Sequence, residues 1–99
     1  MSKKPLFDLG PIVATPGALE LLEKNSVNPA ELIARHVTGD FGAVGKEDWQ
    51  ANLDAIVSGA RILSVYFLQD ENILWIITDA EVDEQHHRYA TTILRPSDY

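Results

Sequence analysis

The chain contains no cysteine. Secreted chains of this size commonly rely on disulfides to supplement a thin core, so that absence points to a reducing compartment. Long hydrophobic runs are missing too. The longest apolar stretches are of strand length, far below the roughly 20 residues that span a bilayer. Lys3 and Lys4 are followed by Asp8, Gly10 and Pro11 rather than by a signal-type apolar segment. These absences predict a soluble, cytoplasmic protein with no membrane contact. Basic residues are scarce, 8 against 15 acids, which leaves a formal charge of −7. After Lys3-Lys4 they stand singly, at Lys24, Arg35, Lys46, Arg61, Arg88 and Arg95. Phosphate neutralisation needs clustered Lys and Arg, so direct nucleic-acid binding is disfavoured. An acidic surface instead serves solubility, or attracts a basic protein partner.

What is present is a globular composition, 45% hydrophobic and 23% charged over 99 residues. That is enough apolar content to exclude disorder and enough chain for one domain with one core. Phe7, Leu9, Ile12 and Val13 surround Gly10-Pro11 and read as an extended segment over 1–14, where Pro11 confines any strand to a sheet edge. Thr15-Pro16 is a helix start, a capping hydroxyl followed by a proline whose missing N–H is not needed there. Leu19 and Leu22, with Ala18 and Leu21, form the apolar side, and Asn25 is a candidate left-handed stop. Asn28-Pro29-Ala30-Glu31 starts a second helix with the outline of a capping box, and Gly39 closes it.

The glycine-spaced loop 39–45 matches neither a dinucleotide fingerprint nor a P-loop. Its glycines allow turns while Phe41 and Val44 reach the core. A third helix is predicted from Lys46 to Val57, with Trp49, Leu53, Ile56 and Val57 as its buried stripe and Gly59 as its end. Arg61–Leu68, Ile73–Thr78 and Tyr89–Leu94 then read as strands joined by polar connections, the middle one apolar on both faces. The predicted fold is therefore α+β, about three helices packed on one face of a C-terminal three-stranded antiparallel β-meander.

Chemical candidates are few. His36 and Asp40 flank the end of the second helix and Trp49 opens the third, a set able to form a small acid–base site. A histidine in a last helical turn equally stabilises that terminus through the dipole, and Asp after a helix-ending glycine is common in turns. No Ser or Cys sits in a nucleophile motif. The connection Asp79 to His87 is rich in carboxylates and ends in two histidines, but its spacing matches no calcium loop. Adjacent histidines on an extended chain point apart, so no metal and no cofactor is assigned. Arg61, Arg88 and Arg95 flank the strands and are available to pair with these acids, which include Asp79 and Asp83. Trp75 lies in the middle strand. If it sits on the sheet face away from the helices, that face is an apolar patch that needs a partner, and a homodimer is the simplest one.

The strings Ala34-Arg35-His36, Gly39-Asp40-Phe41-Gly42, Asp48-Trp49 with Asn52, and Gly59 to Ser64 resemble a family of small bacterial proteins. Leu74 to Ala80 and Ala90 to Tyr99 continue the likeness, which covers 15–99. Members occur on plasmids and other mobile elements and are often labelled plasmid-related or type I restriction subunit M. The resemblance implies a mobile-element setting and carries no catalytic residue over. The connection from Val82 to Arg88 is longer than the family's usual tight hairpin. A methyltransferase subunit would need a Gly-rich cofactor turn and an Asn/Asp-Pro-Pro motif, and this chain has neither.

The reading that fits these features is an acidic, non-enzymatic protein-binding module, one form of which inhibits a host defence complex of restriction or CRISPR type. Its candidate contact residues are Trp49, Trp75, Asp79, Asp83 and Arg88. The alternatives are a small nucleic-acid- or nucleotide-acting enzyme or toxin that uses His36, and a homodimer that binds a small molecule.

Overall fold

The computed structural model describes residues 4–99. Its elements run β1 (Ile12–Ala14), α1 (Pro16–Lys24), α2 (Pro29–Val37), α3 (Lys46–Ser58), β2 (Ile62–Phe67), β3 (Ile73–Thr78) and β4 (Thr91–Leu94), closed by a 3-10 turn over Pro96–Asp98. The sheet has four strands in the order β1-β4-β3-β2. This corrects the three-stranded meander. β2, β3 and β4 are antiparallel as expected, but β1 adds a parallel edge against β4, with Val13 beside Thr92. Pro11 fits because it precedes an edge strand, and its carbonyl accepts from the Thr91 amide at 2.9 Å. β4 is also shorter than predicted, and Tyr89 lies outside it, 74% exposed.

The helix starts follow local cap chemistry. Thr15 Oγ1 accepts from the Ala18 amide at 3.1 Å, and Asn28 Oδ1 accepts from the Ala30 amide at 2.9 Å. The left-handed residue after α1 is Ser26 (φ 55°) rather than Asn25, which stays near φ −95°. Asn25 instead uses its side chain, donating to the Leu21 carbonyl and accepting from the Asp70 amide. α3 ends at Gly59 in the left-handed region, as read.

All three helices cover the same face of the sheet. Ala18, Leu22 and Leu32 pack with Tyr66, Leu74, Ile76 and Ile93, while Phe41 and Ala55 pack with Ile62. The predicted stripe of α3 is misphased. Leu53 is 40% and Val57 85% exposed, and the fully buried positions are Asn52 and Ala55, with Trp49 and Ile56 half-buried. The reason lies on β2, where a hydrogen bond rather than an apolar contact sets the phase of the helix.

Candidate functional site

The predicted acid–base set does not assemble. His36 is fully buried, with Nδ1 2.6 Å from Ser64 Oγ and Nε2 2.8 Å from Thr78 Oγ1. Thr78 Oγ1 is in turn 2.8 Å from Thr91 Oγ1, which donates to the Leu9 carbonyl at 2.7 Å. A carbonyl only accepts, so the direction of the whole chain is fixed. Thr91 gives its one proton to Leu9, so Thr78 donates to Thr91 and His36 Nε2–H donates to Thr78. Ser64 then donates to the lone pair on Nδ1. The imidazole is neutral, and burial, reinforced by the Arg88 charge, lowers its pKa to about 4. Every proton in this relay has a partner inside the fold, and His36 presents no surface to a substrate.

Asp40 turns the other way. Its Oδ2 lies 2.7 Å from Arg35 Nε, and its backbone carbonyl accepts from Tyr66 Oη at 2.6 Å. Trp49 is half-buried and packs edge-on against Phe41 at 5.1 Å, beside a shallow depression lined by Val44, Lys46 and Gln50.

Arg88, read as a loop residue that pairs with acids, is an interior residue with only 3% exposure. Its guanidinium donates to the carbonyls of Ala60 at 2.6 Å, Asp79 at 3.2 Å and Ala55 at 3.2 Å. Ala55 belongs to the last turn of α3, so the cation also meets the negative end of that helix dipole. Glu81 Oε2 stands 3.8 Å from Nη2, and the guanidinium carbon lies 5.6 Å from the Phe7 ring centre. Arg88 is therefore withdrawn from any contact surface. Sequence reading missed it because a single arginine in an acidic loop looks solvated. Asp83 organises the loop tip, accepting from the Gln85 and His87 amides at 3.0 Å and from His87 Nδ1 at 2.8 Å. That bond lowers the Asp83 pKa and raises that of His87. His86 pairs with Glu81 at 3.0 Å. Each histidine is thus held by its own carboxylate, and among the described residues no group of three or more potential ligands could hold a metal. Asp79 is half-buried, and its amide donates to the Ala90 carbonyl at 2.9 Å.

The face of the sheet opposite the helices is different in kind. Strand alternation places Leu63, Val65 and Phe67 of β2 on it, beside Ile77, Trp75 and Ile73 of β3 as their register partners. Leu94 and Thr92 of β4 and Val13 of β1 extend it. Among the described residues no α-helix covers this face, and the C-terminal 3-10 turn meets β3 through Tyr99. Ile77 and Leu94 are buried by their neighbours, and Tyr99 leans on Trp75 with ring centres 5.7 Å apart. Phe67 and Val13 remain 63% and 50% exposed at opposite edges of the sheet. The strands contain no charged residue, and the Arg61 guanidinium stands at the rim, donating to Tyr99 Oη at 2.7 Å. Trp75 faces away from the helices, on the side of the sheet opposite Tyr66.

The outer edge of β2 is closed by two devices. The Asn52 carboxamide donates to the Leu63 carbonyl at 2.7 Å and accepts from the Leu63 amide at 3.1 Å, standing in for a neighbouring strand. One step along, Val65 bonds the Phe41 carbonyl at 3.0 Å and the Ala43 amide at 2.7 Å. That close approach needs Gly42 at φ 73°, where a Cβ would run into the Val65 carbonyl oxygen. Gly42 of the loop therefore serves edge closure. Asn52→Asp keeps the acceptor but sets a carboxylate against the Leu63 carbonyl, and an expected loss of about 2 kcal/mol should appear as a lower urea midpoint. An unchanged midpoint would remove Asn52 from the edge.

No protein-family model matches the chain, and no curated protein and no solved structure matches it.

Proposed function

We propose that this chain is a non-enzymatic protein-binding module that docks through the open face of its sheet. The observation that carries the reading is an apolar sheet face without charged strand residues on a chain of net charge −7, with Phe67 and Val13 exposed at its edges and Trp75 and Val65 half-buried between them. Contiguous apolar patches of this kind mark interaction sites on soluble domains. The sealing of His36 supports the non-enzymatic side of it, because the strongest acid–base candidate is fully engaged within the core. The acidic exterior supports a long-range attraction to a basic partner, the feature on which the inhibitor form of the reading rests.

A photo-crosslinking residue at Phe67, compared with one at Leu53 on the exposed side of α3, tests the docking face in cells. A discrete protein adduct is expected from Phe67 and none from Leu53. Adducts from Leu53 alone, or from neither, would sink the proposal.

A further inference from the structure

Granting that docking face, we infer that its occupant is a second copy of this chain, seated face to face so that two four-stranded sheets form one sandwich. Charge selects the partner. A basic protein drawn by the acidic exterior would find its attracting charges outside the strands of this face, whereas an identical face matches it in polarity. The arrangement also keeps like charges apart. The acid-bearing helices lie on the far side of each sheet, so stacking the uncharged faces places the two negative exteriors outward. Aligned sheets pack about 10 Å apart, a spacing filled by side chains of the size of Val65, Trp75 and Phe67.

The closed edge of β2 decides why association stops at two. Asn52 and the 41–43 loop occupy the outward backbone groups of Leu63 and Val65, and β1 offers only three residues behind Pro11. Chains therefore cannot add strand by strand along the sheet, and the face remains as the site of contact. A face that meets its own copy about a two-fold axis is used up, which gives a closed dimer rather than a filament. Strands of three, six, six and four residues, about 4.8 Å apart, give a footprint on the order of 300 Å² per copy. Two such faces bury on the order of 600 Å², a size of weak, transient interfaces, so an equilibrium in the upper micromolar range is expected.

The test is sedimentation of the full chain from about 1 to about 500 µM, the range that brackets micromolar dissociation. Wild type is expected to move from monomer to dimer mass, and Val65→Glu to remain monomeric with unchanged circular dichroism. Because the chain has no cysteine, single replacements report contact directly. Thr92→Cys should give a covalent dimer on oxidation at least tenfold faster than Val57→Cys on the helical side. A dimer that survives Val65→Glu, or equal cross-linking at Val57, overturns the inference. A wild type that stays monomeric throughout also overturns it. If Phe67 in that monomer still captures a protein of another mass, the docking face stands and only the second copy falls.

Discussion

Replacing Arg88 by Met is expected to remove about 3–5 kcal/mol, a large part of the roughly 5–15 kcal/mol that holds a domain together. The thioether fills most of the volume but donates nothing. Carbonyls of Ala55, Ala60 and Asp79 then lose the charged donor of a side chain that is 3% exposed. The three belong to α3, to the approach to β2 and to the end of β3, so the guanidinium ties a helix to two strands. Arg88→Lys is expected to recover only part of the loss, because one ammonium cannot reach carbonyls held in a planar fork. Urea unfolding of both variants, followed by circular dichroism, measures the difference. Midpoints equal to wild type would mean that the buried cation contributes nothing net.

The second large effect is a dependence on pH. His36 titrates at about 4 in the fold against an ordinary 6.5, so the unfolded chain binds its proton more readily. Stability is therefore complete above pH 6.5 and falls as pH drops toward 4, by about 3 kcal/mol in all. Protonation would put a hydrogen on Nδ1, where Ser64 already donates, and a charge beside Arg88. His36→Leu is expected to be less stable at neutral pH yet to lose most of this slope. His87, raised by Asp83, works in the opposite sense at an exposed site, since its stabilisation is lost as pH rises. Asp98, held far below the usual carboxylate range by Arg95 and Thr15, acts only below the His36 window. A wild-type curve that is flat between pH 6.5 and 4 would refute the buried neutral imidazole.

Helix starts were legible because a cap is a contact between near neighbours. Thr15-Pro16 and Asn28-Pro29 carry the whole signal within a few residues, and both helices begin there. β1 was not legible as a paired strand. Three residues give no periodicity, and their partner β4 lies almost a chain length away. The phase of α3 was lost for a related reason, since Asn52 is inward-facing only because Leu63 has backbone groups to satisfy. Polarity patterns assign such a residue to water. The same rule misplaced Arg88, while His36 was noticed for its chemistry and turned out to serve the core. Trp75 and its neighbours were legible once alternation was applied, because strand geometry sends odd and even residues to opposite faces. Which face the helices would take was the missing fact.

The bonds that join the two ends of the sequence bear on how the chain is made. Thr15 reaches Asp98 across 83 positions, Thr91 reaches Leu9 across 82, and the Arg88 amide reaches Asp8 across 80. As the polypeptide emerges from the ribosome, α1 and α2 appear first, with no sheet to cover. Each can flicker into helix, but neither is long enough to persist alone. β1 waits longest, since its partner strand is synthesised after every other strand of the sheet. Folding is thus held back until β4 has been synthesised, and closing such long loops makes the final step slow for so small a domain. A nascent chain stalled before β4 should stay protease-sensitive along its whole length, and resistance should arrive in one step when residues 91–94 clear the exit tunnel.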